Sequence, residues 1–237
     1  MSTDSAVTIG LILPDVLGTY SDAGNSTVLA QRLRWRSIPA HIHPILAREA
    51  PPTTCDIYLL GGGEDRAQLF ATSWLRSHHT LLNAIAERAL TLTVCAGLQI
   101  LGHTMTDNHG QHQPGLGLLD IATAPRRQRA VGEITTQCHL PGVGMLTGFE
   151  NHQGATTLGP EAKPLGRVVT GVGNGDGHAV DGVRTEHILG TYLHGPVLAR
   201  NPALADHILR HVTGQALSAI DLPDLPALRN TYLKAAA

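Results

Sequence analysis

Residues 91–102 read Thr-Leu-Thr-Val-Cys-Ala-Gly-Leu-Gln-Ile-Leu-Gly, so a β-forming run enters Cys95 and two small residues, Ala96 and Gly97, open a helix-forming stretch. Strand, tight turn and helix in that order give the geometry of a nucleophile elbow, which lifts the thiol to the carboxyl edge of a sheet. A helix N-terminus at the thiol would favour the thiolate, the reactive form, and its first amides could receive an oxyanion. Local sequence leaves a second reading open, because free cysteine is among the most buried residue types and often only packs. Cys55 and Cys138 have no comparable setting and are read as inert.

Gly61-Gly62-Gly63 follows the apolar pair Leu59-Leu60. Three glycines after a strand let the backbone turn its N–H groups toward a ligand, either as an oxyanion hole beside Cys95 or as a plain βα turn. A phosphate loop is disfavoured, since no Lys-Ser/Thr follows and the GxGxxG register is absent. Cysteine chemistry also needs a base. Fourteen histidines supply candidates. His194, at the end of the strand-like run 188–193 and before Gly195-Pro196, is placed to face the same sheet edge, with His152 as runner-up. His41 with His43, and His109 with His112, form pairs without a third ligand, so no metal site is expected.

These residues need elements to hold them. Aliphatic or extended runs at 7–13, 38–45, 56–60 and 91–95 predict strands, and 22–37, 64–70, 80–90 and 96–104 predict helices, the first with a basic outer face. Alternation of this kind implies a parallel sheet with helices on both faces. Beyond about residue 105 the texture changes to short strands at 118–122, 131–137, 143–149, 167–171, 179–183 and 188–193, expected as antiparallel additions to the same sheet. Residues 202–212 return to helix, and 222–237 form a last helix, packed or loose. No linker or repeat interrupts the chain, so one α/β domain over 1–237 is expected.

Composition narrows the classes. The 237 residues carry 17 Lys+Arg against 19 Asp+Glu, a formal charge of −2, which leaves no electrostatic footprint for nucleic acid or an anionic membrane. With 42% apolar and 15% charged residues, the chain is too apolar to stay disordered and long enough to bury a real core. Its three cysteines are widely spaced with no CxxC, which points away from a disulfide scaffold and toward a reducing cytosol. The start of the chain lacks a basic n-region, so no signal peptide is expected, and no apolar run nears the roughly 20 residues of a membrane span.

The strand-borne Gly61-Gly62-Gly63, the Cys95-Ala96-Gly97-Leu98-Gln99 elbow and the late Thr191-Tyr192-Leu193-His194-Gly195-Pro196 together resemble class I glutamine amidotransferases, in the cobyric acid synthase branch. Further segments resemble the glutaminase subunits of lipid II isoglutaminyl synthases: Leu13-Pro14-Asp15, Tyr20-Ser21-Asp22-Ala23-Gly24-Asn25, Gly61 to Gln68, Gly148-Phe149-Glu150-Asn151-His152 and Gly171 to Gly177. The resemblance runs from about residue 9 to about residue 204. It implies a flavodoxin-like amidotransferase fold, a mixed, mostly parallel sheet flanked by helices. Cys95 would be the nucleophile, His194 the base, and the amides of Gly63 and Ala96 the oxyanion donors. Arg129 would hold the glutamine substrate, the alternative being one more charge in the exposed cluster Arg126-Arg127-Gln128-Arg129. Gln99 would line the glutamine pocket or bond only to backbone, and Asn151 and His152 would shape the site.

The same resemblance implies a heteromeric pair with a Mur-ligase-like synthetase subunit, MurT. That subunit would use ATP and Mg²⁺ to activate the D-glutamate α-carboxylate of lipid II, this chain needing no cofactor of its own. The implied location is cytoplasmic, at most peripheral at the inner face of the membrane that carries the lipid substrate. One departure stands out: Pro196, not an acidic residue, lies two positions after His194. The expectation is that the partner supplies the orienting carboxylate and that the isolated chain is a poor glutaminase. Alternatives are an amidotransferase for another acceptor such as a corrinoid carboxylate, an inactive partner-binding module, or a peptide-directed cysteine hydrolase with no need of Arg129.

Overall fold

The computed structural model describes residues 6–18, 21–52, 54–106 and 111–235. In chain order, β1 (Val7–Ile12), α1 (Gly24–Arg34) and β2 (Ala40–Ile45) precede β3 (Ile57–Leu60), α2 (Asp65–Arg76), α3 (His79–Glu87), β4 (Leu90–Val94) and the short α4 (Ala96–Ile100). A β-rich middle follows, with β5 (Thr104–Thr106), β6 (His112–Pro114), β7 (Ile121–Cys138), β8 (Met145–Leu158), β9 (Gly166–Thr170), β10 (Val180–Asp181), β11 (Val183–Arg184) and β12 (Ile188–Thr191). Three helices close it: α5 (Val197–Arg200), α6 (Pro202–Thr213) and α7 (Leu225–Ala235).

The first sheet has the order β11-β12-β4-β3-β1-β2, parallel throughout except for β11. Every residue of β3, β4 and β12 is buried, as expected for central strands covered on both faces. The chain moves from β1 to β2 in one direction and from β3 to β4 in the other. Right-handed crossovers therefore place α1 on one face and α2 with α3 on the opposite one. The direction reverses between β1 and β3, and the strands' carboxyl ends open a crevice there. The ends of β1, β3, β4 and β12 carry, in turn, the segments leading to Asp22, Gly61, Cys95 and His194.

The middle of the chain departs from expectation. Strands β5 to β10 do not extend the first sheet but build a second one, β10-β9-β7-β5-β6, with β8 also paired to β7. In contrast, β11 and β12 do join the first sheet, β12 parallel to β4 and not antiparallel as expected. The short strands expected at 118–122, 131–137 and 143–149 are parts of a long antiparallel β7–β8 hairpin. β7 runs through Pro125 because a register shift between Pro125 and Ala130 absorbs the lost N–H, as a bulge does. A single cluster of buried apolar residues spans both sheets, from Ile9 and Leu92 to Ile134 and Leu146.

Two helices also differ in length. α2 continues to Arg76, since Gln68, Ala71, Thr72 and Leu75 keep burying one face at helical spacing. α4 stops at Ile100, not 104: Gly102 is pressed against Ile121, where a Cβ would lie 2.8 Å from the Ile121 carbonyl oxygen. The expected basic outer face of α1 is only partly present. Arg32 is buried and bonds Asp206 of α6 at 2.8 and 2.6 Å, and Arg36 joins the same carboxylate at 3.0 Å. Burial would raise the Asp206 carboxyl, but the two guanidiniums outweigh it and hold it below its ordinary range. Among the described residues, no helix is long and apolar enough to cross a membrane.

Candidate active site

Cys95 is the N-cap of α4 and takes φ 53°, ψ −109°. A non-glycine residue there stores roughly 1–3 kcal/mol of strain, which the surrounding structure must hold in place. Two contacts do so. The Cys95 N–H bonds the Thr191 carbonyl at 2.9 Å, tying the elbow to β12. Gly97 lies so close to β3 that a Cβ would stand 2.6 Å from the Leu60 carbonyl oxygen. α4 is only five residues long, so its dipole is small.

His194 leaves β12 and is bridged to β8 through paired Phe149 backbone bonds, His194 N–H to Phe149 O at 2.8 Å and Phe149 N–H to His194 O at 3.2 Å. Its Nδ1 lies 3.0 Å and 3.1 Å from the two carboxylate oxygens of Asp22. Both side chains are about 1% exposed. Asp22 also accepts the Gly62 N–H at 2.9 Å. At Gly62 a Cβ would meet His194 Cε1 at 2.9 Å and Cys95 Cβ at 3.6 Å, so the imidazole occupies space that only glycine leaves free. Burial pushes the His194 pKa down, but the hydrogen bond to Asp22 and the adjacent Cys95 outweigh it and raise it to about 10.

Asp22 is the orienting carboxylate that spacing around His194 could not reveal, and it corrects the expectation that a partner must bring one. The Asp22-Ala-Gly-Asn25 turn is fastened to the His194-Gly-Pro196 segment at two further points. Asn25 Oδ1 accepts the Leu198 N–H at 3.0 Å, and Gly24 packs so tightly on Pro196 that a Cβ would sit 2.5 Å from its ring. The motif glycine and Pro196 are therefore the contact that brings the carboxylate to the imidazole.

In front of Cys95 lies a cavity of about 200 Å³ whose wall includes Gly63, Ala96, Gln99, Arg129 and His152. Five residues singled out from the sequence thus meet around the thiol, while His194 stands behind it. Gly62 has spent its amide on Asp22, which leaves Gly63 as the donor available from the glycine run. Gln99 is held by side chains, not backbone: it accepts from Gln68 Nε2 at 2.9 Å and donates to the Tyr192 hydroxyl at 2.9 Å. Arg129 Nε bonds Asn151 Oδ1 at 2.5 Å and is exposed at the cavity rim.

His152 lies on the cavity wall, stacked on Tyr192 at 3.9 Å, with Nδ1 2.9 Å from the Gly154 carbonyl and Nε2 3.5 Å from Glu150. Glu150 in turn accepts the Val172 and Gly173 amides at 2.8 and 2.9 Å. That gives the Gly171 to Gly177 run its purpose, since Gly171 at φ +100° abuts Glu150 directly. Gln68, Glu150 and Tyr192 were not singled out by sequence reasoning as site residues, and only the three-dimensional pairing reveals them.

Cys55 and Cys138 are buried, and burial raises both thiols, as inert cysteines require. His41 and His43 sit exposed on the edge strand β2, and no group of three metal-ligating side chains occurs among the described residues. His109 and Tyr20 lie outside the described residues.

The sequence profile of the CobB/CobQ-like glutamine amidotransferase domain matches residues 8–202. The chain is 38% identical to the lipid II isoglutaminyl synthase (glutamine-hydrolyzing) subunit GatD of Staphylococcus aureus (strain N315), over 86% of this chain and 83% of that one. Its identity to the subunit of the same name from Streptococcus pneumoniae (strain ATCC BAA-255 / R6) is 32%, over 81% and 74%. A hydrogenobyrinate a,c-diamide synthase from Mesorhizobium japonicum is 32% identical over 68% of this chain but only 38% of its own length. Among solved structures, a glutamine amidotransferase superposes with TM-score 0.59 at 18% identity, covering 86% of this chain and 98% of that one. The glutaminase domain of Trypanosoma brucei CTPS with bound acivicin gives TM-score 0.54 at 9% identity over 90% and 96%, a likeness of fold.

Proposed function

The chain belongs to the CobB/CobQ-like glutamine amidotransferase family, and from that premise we propose that it hydrolyses L-glutamine and supplies the ammonia for amidation of lipid II. The observation that carries this reading is the strained Cys95 backed by the His194–Asp22 pair at the end of a cavity rimmed by Arg129. Arg129 receives the glutamine α-carboxylate, for which a guanidinium is shaped. Cys95 attacks the side-chain amide carbon as thiolate, paired with protonated His194. The Gly63 and Ala96 amides receive the oxyanion, each donor being worth ~3 kcal/mol. As the C–N bond breaks, His194 gives its proton to the departing ammonia, leaving a thioester on Cys95. His194 then takes a proton from water, whose oxygen attacks the thioester. The C–S bond breaks to release glutamate, its new carboxyl ionising to solvent, and to restore the Cys95 thiolate beside protonated His194.

The acceptor reading rests on the two GatD relatives, which this chain matches over most of their length. The partner in this reading is a Mur-ligase-like synthetase, MurT. It forms a heterodimer with this chain, holds ATP and Mg²⁺, and converts the D-glutamate α-carboxylate of lipid II to D-isoglutamine. The reaction belongs at the cytoplasmic face of the membrane. A corrinoid acceptor is the second reading, carried by the hydrogenobyrinate relative. The test is glutamate and ammonia release by the purified chain, alone and with each synthetase. Absence of glutamate and ammonia release under both conditions overturns the glutaminase reading. Turnover that survives Cys95→Ala overturns Cys95 as nucleophile, and amidation of a corrinoid in place of lipid II overturns the acceptor.

A further inference from the structure

α7 lies beyond the residues matched by the family profile, yet it reaches the segment that carries His194. Arg229, half-buried, donates from Nη1 to the Arg200 carbonyl at 2.7 Å and to Asn201 Oδ1 at 3.1 Å, and from Nη2 to the Met145 carbonyl. Asn201 is fully committed: its amide bonds the Thr147 N–H at 2.9 Å and the Thr147 and Val197 carbonyls at 2.7 Å each. One turn along α7, Tyr232 places its ring under the Arg200 guanidinium, 4.3 Å to the centroid. On its other side that guanidinium bonds Glu133 at 2.5 and 3.3 Å. The Arg200 side chain lies against Gly195, the residue after His194, where a Cβ would sit 3.1 Å from Arg200 Nε.

We propose that α7 is a strap that fixes the catalytic base, with Arg229 and Tyr232 as positioning residues acting on His194 through Arg200 and Asn201. The inference rests on the glutaminase reading above. Arg229 locks the backbone of α5 to β8, and Tyr232 and Glu133 clamp the side chain that braces Gly195 at φ +140°. Leu228 of α7 is 51% exposed, and Arg229 and Tyr232 carry the polar and aromatic contacts that join the helix to Arg200 and Asn201. The charged or titratable groups facing His194 are Asp22 from the β1–α1 connection and Cys95 from the elbow. Loosening the strap lets the imidazole drift from both.

The test compares the full chain with Arg229→Ala/Tyr232→Leu, reading kcat and KM for glutamine and the pH profile of iodoacetamide alkylation at the Cys95 peptide. The expected result is a kcat lowered about tenfold with KM within about twofold, because misplacing a catalytic group costs turnover more than binding. The Cys95 alkylation profile should depart from the wild type's, and Arg229→Lys, which keeps a donor, should recover part of the loss. Tyr232→Leu alone, which removes only the aromatic face, should slow turnover about threefold and serves if the double variant does not fold. A folded double variant, or a Tyr232→Leu chain, with wild-type kcat and alkylation profile overturns the strap. Failure of the glutaminase reading would instead appear as no glutamine turnover by the wild-type chain, alone or with a synthetase, so the two failures are distinct.

Discussion

Asp22 and His194 stand 172 residues apart in the chain and 3.0 Å apart in space, both almost fully buried. The carboxylate fixes the imidazole by Nδ1, which leaves Nε2 as the nitrogen for proton traffic with Cys95.

Asp22→Asn keeps the shape but removes the charge, and can present an N–H to Nδ1, favouring the wrong tautomer. The expected loss in kcat for glutamine hydrolysis is about 10²–10⁴-fold with little change in KM. Because the carboxylate is internal, the isolated chain should show this loss without any partner. Equal activity of wild type and variant in the isolated chain would remove Asp22 from the mechanism.

Gly62→Ala places a methyl 2.9 Å from His194 Cε1 and 3.2 Å from Asp22 Oδ2. The imidazole must move, and a displacement of this size should cost about 10²-fold in turnover. Steady-state kinetics alongside circular dichroism will separate this from misfolding, and a folded variant of normal activity would contradict the packing described.

Arg129 lines the cavity that holds Cys95 and is exposed to solvent. Arg129→Ala should therefore raise KM for glutamine by at least about tenfold while kcat falls much less, the signature of lost ground-state binding. A variant with unchanged KM and a collapsed kcat would assign the guanidinium to the chemistry and not to substrate capture.

His194 has its pKa raised from 6.5 to about 10, so its protonated form stabilises the folded chain. That contribution is complete below the ordinary histidine value of 6.5 and is lost as pH rises through about 10. The thermal midpoint should decline across this interval, and His194→Gln should flatten the decline. Parallel curves for the two proteins would count against the assignment.

The doubly wound half of the fold was legible because central strands such as residues 91–95 are near-continuous apolar and β-branched runs, and helices between them follow the 3.6-residue period. The second sheet was not, because Pro125 and scattered glycines fragment β7 and β8 on paper while a bulge and long-range pairing keep them whole in space. Cys95 and His194 were visible from local context, each at a strand end. Asp22 was hidden although its motif was noticed, since hydrogen bonding between a loop before α1 and one after β12 has no signature in spacing. Glu150 and Tyr192 were hidden for the same reason: their roles exist only across β8, β12 and the glycine run at 171–177.

The bond from Cys95 N–H to Thr191 O joins neighbours in the sheet that are made far apart in time. β4 emerges from the ribosome with less than half of the chain synthesised, and its outer neighbour β12 only after the entire second sheet. Until then β4 is paired with β3 alone, with no imidazole behind the sulfur and no Thr191 carbonyl to hold the Cys95 N–H. A nascent chain therefore carries an ordinary thiol, and glutamine hydrolysis switches on only when non-local parallel pairing, a slow class of folding event, is complete. Synthesis itself thus protects the cell's glutamine from half-made enzyme.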